Sequence, residues 1–222
     1  MASNVQVKFR LDKTKGRLKQ QIVESLRIRM RERLRPLPIL AKDKMRQYIA
    51  EAIQRCELYQ AVHSGEQVYF ELGTIDSPVI LDELILVLQD SVSASNLFVR
   101  KYGDFLRINL NIVAIRGDFN DALGIPGAEY DSTNKHGKIS KIKWMEWLLK
   151  SPPYIQRFNV LFRSTSSSRT GGAIMVEGMG DWELVEFAGT LDDNFVTRAM
   201  SDYKISEKMQ RYIYRKCNEL MR

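Results

Sequence analysis

The chain has 222 residues, with 34 Lys+Arg against 27 Asp+Glu, a net charge of +7 and a pI near 9.4. An apolar fraction of 44% with only 13 Gly and 6 Pro excludes wholesale disorder, a collagenous repeat and a low-complexity chain. A chain of this length buries roughly 70% of its unfolded surface, so it needs no disulfide or metal to hold a core.

The start, Met1-Ala2-Ser3-Asn4-Val5-Gln6-Val7-Lys8, lacks the apolar stretch of a signal peptide. Apolar runs such as Leu84–Leu88 fall far short of the ~20 residues of a membrane span, so a soluble protein without an export signal is expected. Residues 8–46 carry 14 Lys/Arg and four acids, a net +10 that leaves −3 for the remainder. A segment this basic attracts phosphate backbones or acidic protein surfaces; the plainer reading is a solvated helix face.

Leu18, Ile22, Leu26, Met30 and Leu34 recur every four positions and predict a helix. Leu26–Arg31 also alternates at period two, which fits a strand, but the longer period-four row and its flanking helix formers favour the helix. Arg35-Pro36-Leu37-Pro38 ends it. A second helix is expected from Ala41 to about Ala61, with Met45, Ile49, Ile53 and Cys56 on one face and Gly65 as its left-handed stop. Val79–Leu88 fits either a short helix or a buried strand. Leu106–Ile112 alternates strictly and predicts a half-buried strand.

Residues 117–138 read as a long loop, and Lys138–Leu149 as a helix stopped by Ser151-Pro152-Pro153. Ile155–Phe162 and Gly172–Val176 read as strands joined by the polar loop Ser164–Gly171. Thr190 and Asp193 form a capping box that opens a short helix through Met200. Ser201 or Asp202 caps a last helix with Ile205, Met209, Ile213 and Leu220 inward. The expectation is one α+β domain over 1–222. It has a basic helical segment at 8–46, a body with a mixed or antiparallel sheet at 66–189, and C-terminal helices at 190–222.

Chemistry-bearing patterns are sparse. His63 and His136 have no cysteine at ligand spacing, and Cys56 and Cys217 belong to no CxxC, which points to a reducing compartment and to surface histidines. There is no Gly-x-Ser-x-Gly elbow, and Ser164–Gly172 lacks the phosphate-loop spacing. Asp104, Asp118 and Asp121 could meet on Mg²⁺ in a nuclease, although acids beside a loop are usually turn formers. Trp144, Trp147, Phe158, Phe162 and Trp182 fall at core spacings. The basic segment has few interleaved aromatics, so DNA contact through Arg27, Arg29, Arg31, Arg33 and Arg35 would be to phosphates, without reading sequence. No catalytic set, cofactor or metal is expected.

Three stretches in order carry a resemblance: Ile142-Lys143-Trp144-Met145-Glu146-Trp147-Leu148-Leu149, Ser168-Arg169-Thr170-Gly171-Gly172-Ala173-Ile174-Met175, and the run from Trp182 through Phe187-Ala188-Gly189-Thr190 to Asp193-Asn194-Phe195-Val196-Thr197-Arg198-Ala199. With Ala50–Leu72, they cover about half the chain and resemble a family of tailed-bacteriophage virion structural proteins of the neck and tail. The family often has a proline where this chain has Leu184-Val185-Glu186. The resemblance implies a non-enzymatic building block, made in the host cytoplasm and placed in the virion. Its expected form is a homo-oligomeric ring, a hexamer or dodecamer, at the head–tail junction in a tail-terminator or tail-completion position. Expected partners are further copies, other neck or tail proteins and the DNA passing through the lumen, with no membrane. Arg169, Trp182, Thr190, Asp193, Asn194, Phe195 and Arg198 are then motif or subunit-interface positions. The alternative is a sequence-nonspecific nucleic-acid-binding module using the basic segment.

Overall fold

The computed structural model describes residues 2–10, 16–102, 105–114, 118–133, 139–150, 158–161, 174–177, 187 and 189–222. The fold is α+β, with helices predominating over small antiparallel sheets. Contacts divide it into two compact units: unit 1 comprises 1–49, 89–115 and 204–222, and unit 2 comprises 50–88 and 116–203.

Unit 1 is built on a sheet. The strictly alternating segment forms β4 (Phe105–Val113), and Leu106, Ile108, Leu110 and Ile112 are all buried, as period two requires of a strand with one covered face. On one side it pairs antiparallel with β1 (Ala2–Arg10) over its whole length. On the other it pairs with β2 (Ser93–Ala94) and β3 (Phe98–Tyr102) in succession. Helix α1 (Arg17–Arg33) packs beside β3, and α9 (Ile205–Met221) lies against α1 and β1. Val23, Met30 and Leu34 from the first, with Ile205, Met209, Ile213 and Cys217 from the second, complete this core. Leu220, expected inward, is only half-buried.

The proline pair does not separate two distant helices. Leu34-Arg35-Pro36 makes a single turn, and α2 (Leu37–Gln54) starts at once, with Pro38 tolerated in its first turn, where no intrahelical N–H is needed. The expected second helix is broken at Arg55-Cys56, and α3 (Glu57–Ser64) follows with the extended Cys56 as its N-cap. Gly65 closes α3 at φ 72°, as expected.

Unit 2 is largely helical. α4 (Gln67–Glu71) precedes α5 (Ser77–Ser91), which resolves the ambiguous Val79–Leu88 run as helix; Ile80, Leu81, Leu84, Ile85 and Leu88 are buried. The long loop contains α6 (Asn120–Leu123) and β5 (Tyr130–Thr133). The expected helix from Lys138 is corrected: Ile139–Ile142 is β6, paired with β5, and only α7 (Trp144–Lys150) is helical. Its Trp144, Met145, Leu148 and Leu149 are fully buried. The Trp144 indole N–H donates to the Gly127 carbonyl at 2.7 Å. Gly127 sits at φ 87°, where a Cβ would come within 2.6 Å of Ile80, so the turn requires glycine twice over. β7 (Phe158–Leu161) pairs antiparallel with β8 (Ile174–Glu177), at the two expected strands.

The C-terminal caps differ from those read in the sequence. α8 (Phe195–Asp202) is capped by Asn194 in a reciprocal box with Thr197. Thr190 and Asp193 instead form the turn before it, with the Thr190 amide donating to the Asp193 carbonyl at 2.8 Å. Because α8 continues through Asp202, neither Ser201 nor Asp202 caps the last helix; Lys204, at φ 53°, opens α9.

Candidate nucleic-acid interface

The five arginines of the basic segment do not form one patch. At 100° per residue, positions 27 and 31 share one face of α1 while 29 and 33 turn away, and Arg35 joins the first two from the turn after the helix. Arg33 donates to the Met221 carbonyl at 2.8 Å and so ties α1 to the end of α9. Arg29 is exposed. Arg27, Arg31 and Arg35 line a cleft of about 650 Å³ with Ile28, Glu32 and Pro38 on one wall and Asn96, Leu97 and Phe98 on the other. The cleft exists because β3 begins at Phe98, beside the solvent-facing row of α1.

Its charge is graded. Arg27 donates from Nε to both Glu24 carboxylate oxygens at 3.0 Å, which holds the Glu24 carboxyl below its usual range and raises Arg27; Lys101 adds to the pull on Glu24. Arg31 and Arg35 are exposed and have no carboxylate partner among the described residues, so the net positive potential lies toward the α1–α2 turn. Two arginines four residues apart can hold successive phosphates as fixed forks. The second wall comes from far along the chain: Phe98 is half exposed and brings to the basic face an aromatic ring from more than 60 residues downstream. The alternation Phe98-Val99-Arg100 carries the strand signal, but nothing local indicates that it lies beside α1.

The motif residues of unit 2 serve the scaffold. Asn194 is fully buried: its Oδ1 accepts from the Val196 and Thr197 amides at 3.1 Å, and its Nδ2 donates to the Leu149, Thr190 and Leu191 carbonyls. Phe195 is buried, and Arg198 reaches the Asp193 carboxylate at 2.7 Å, lowering that carboxyl's pKa. Phe195 and Arg198 also wall a cavity of about 420 Å³ with Arg55, Cys56, Phe187 and Tyr203. Burial pushes the Cys56 thiol up, away from the thiolate that nucleophilic chemistry needs. Arg169, Trp182, Asp104 and His136 lie outside the described residues, as does the whole of Ser164–Gly172.

Asp118 accepts from the Asn120 side chain at 2.8 Å, the turn-forming role expected of such acids. Among the described residues, no three of His, Cys, Asp or Glu gather as metal ligands. No described helix is long and apolar enough to cross a membrane. His63 is exposed, and it belongs to a network that the sequence did not reveal. Its Nδ1 donates to the Tyr59 carbonyl at 2.9 Å, its ring stacks on Tyr59 at 3.9 Å, and the Tyr59 hydroxyl donates to Asp82 at 2.6 Å. No protein-family model, curated protein or solved structure matches the chain.

Proposed function

We propose that this chain is a structural protein of a tailed-phage particle that assembles with copies of itself into a ring in the neck or tail, joining head to tail around the DNA path. The observation that carries this reading is the occurrence, in order, of the three stretches around Trp144, Arg169 and Asn194. Rings arise from head-to-tail interfaces that close, so one surface of each subunit must fit a different surface of the next. The cavity walled by Phe195 and Arg198 offers such a recess. Mass spectrometry of purified virions and electron microscopy of the purified protein test the reading: the chain is expected in intact particles and as closed rings, and its absence from the particles removes it.

A second reading is favoured by the Arg27, Arg31 and Arg35 row: a nucleic-acid-binding module that holds phosphates without reading bases. It predicts duplex binding that weakens steeply with salt. If neutralising the row leaves duplex binding unchanged but blocks particle assembly, the module reading fails and the ring reading stands.

A further inference from the structure

We propose that the open face of the unit 1 sheet is a platform for a single-stranded nucleic acid, on which bases stack against Phe98 and Tyr102 while phosphates meet Arg100 and Arg107. On β3 the pleat sends Val99 inward, 6% exposed, and Phe98 and Tyr102 outward, 50% and 62% exposed. Two large rings held in water on one strand face are an exposed apolar feature that calls for a partner.

The register supplies the charge. Arg100 stands directly opposite Arg107, and Arg107 in turn is the register partner of Lys8, so three cationic positions form a row across β3, β4 and β1. Like charges directly opposite one another destabilise a sheet, and no carboxylate pairs with Arg100 or Arg107 among the described residues. The flanking rows are polar or aromatic: Phe98–Asn109–Gln6 on one side and Tyr102–Phe105–Arg10 on the other. No Asp or Glu occupies any of these nine positions in a chain that has 27. Among the described residues nothing neutralises this row, which leaves the face open to an anionic partner.

Ring and cation are already placed together. The Arg107 guanidinium lies 4.7 Å from the Tyr102 ring centroid, and that of Arg100 5.7 Å from the Phe98 centroid. Flat guanidinium and aromatic faces are what an unpaired base stacks on, and the same arginines can turn their N–H groups to phosphate. Four residues of strand separate the rings by about 13 Å, with the arginine row between them. A duplex keeps its bases stacked inside and cannot use the rings, whereas a single strand can splay bases onto a sheet. An acidic protein would satisfy the arginines but would need aromatic side chains set at this spacing to match both rings, whereas every base of a single strand carries a planar face.

This surface is distinct from the α1 cleft, and Phe98 is the only described residue argued to serve both. The inference does not rest on the ring reading, and it differs from the module reading in polymer form and in the residues used. The test is fluorescence anisotropy of labelled (dT)20 and of a 20-base-pair duplex with the full chain, in a salt series. Tyr102→Ala, which touches the sheet face alone, is expected to weaken (dT)20 binding about tenfold with an unchanged salt slope. Arg100→Gln with Arg107→Gln is expected to flatten that slope by about 1.4, from ~0.7 per phosphate contact on single strands. Arg31→Gln with Arg35→Gln is expected to leave (dT)20 binding within about twofold, and circular dichroism checks that each variant folds. Failure of the intact chain to bind (dT)20 at low salt overturns the proposal, as does binding that ignores both sheet variants. Concentration-dependent dimerisation abolished by Tyr102→Ala assigns the face to a second copy and also overturns it. Duplex binding lost only in the cleft pair would leave the module reading standing while the platform falls.

Discussion

The Asn194 side-chain amide donates to the Leu149 carbonyl at 3.3 Å, so the cap of α8 also closes the end of α7. One buried side chain thereby serves two helix ends: it accepts two amide donors of α8 and donates to three carbonyls that would otherwise lose a partner. Asn194→Ala is expected to cost about 2–4 kcal/mol, the loss of a cap at ~1 plus buried groups left unpaired at ~1–3. Asn194→Asp keeps the acceptor but loses the amide donor, and it aims a carboxylate at carbonyl oxygens, so it is expected to recover little. Urea unfolding followed by circular dichroism measures both; a cost below about 1 kcal/mol for the alanine variant would contradict this account of the cap.

Gly189 is required by the same joint for a reason of space. A Cβ built on it overlaps the backbone of Asp193 and Asn194, which cannot rotate aside as a side chain would. Gly189→Ala is expected to destabilise by about 3 kcal/mol, at the upper end of overpacking effects. Because both substitutions displace the same turn, the Gly189→Ala/Asn194→Ala double variant is expected to cost clearly less than the two single costs combined. Strict additivity in that cycle would separate the two residues.

How much of this was legible in the sequence depended on the range of the forces involved. β4 could be read because one face of a sheet is buried and Leu106 to Ile112 must alternate, and α1 because Met30 and Leu34 keep helical spacing. The helix expected from Lys138 failed over Ile139–Ile142 because pairing with β5 outweighed local propensity, and that pairing leaves Ile139 65% exposed. Thr190-x-x-Asp193 and Asn194-x-x-Thr197 are equally good local caps, and only the burial of Asn194 against Leu149 separates them. β1 is not evident in the sequence: the alternation of Val5, Val7 and Phe9 is short, and the β4 strand that orders it lies about a hundred residues downstream. The cleft was half legible: spacing of four puts Arg27 and Arg31 on one face of α1, but Arg35 joins them from a turn and the wall from Asn96 to Phe98 arrives by strand pairing with β4.

Ser77 opens α5 fully buried, and its hydroxyl has no hydrogen-bond partner among the described residues. An unpaired buried hydroxyl carries a desolvation cost and returns nothing for it. Ser77→Ala is therefore expected to leave the fold unchanged and to raise stability by up to about 1 kcal/mol. Thermal unfolding reads the outcome, and a clear fall in Tm would mean that the hydroxyl has a partner.

Tyr59 links α3 to α5 through Asp82, and its phenol is pushed up to about 12, by burial first and then by the hydrogen bond to and charge of Asp82. The folded state thus favours the neutral phenol. That stabilisation is complete below the unfolded value near 10.0 and is lost as pH rises through about 12. Stability is expected to fall across pH 10–12 more steeply in the intact chain than in Tyr59→Phe. The difference in 295 nm absorbance between the two is expected to titrate near 12, and to move downward in Asp82→Asn. A difference curve centred at 10 would mean that the phenol is solvated.

The α1 cleft makes a graded electrostatic prediction, because its three arginines are not equally engaged. Each phosphate contact on duplex DNA contributes about 0.9 to the slope of log affinity against log salt. Arg31→Gln with Arg35→Gln is therefore expected to flatten the duplex slope by about 1.8. Arg27 shares its charge with Glu24, so Arg27→Gln alone is expected to move the slope less than either Arg31→Gln or Arg35→Gln. Glu24→Gln releases Arg27 and is expected to tighten duplex binding and steepen its salt dependence. Arg29, on another face, is expected to have little effect. A slope that falls equally for all four arginine substitutions would mean that the helix acts as a diffuse positive charge, whereas the predicted ranking requires DNA to lie in the cleft beside Phe98.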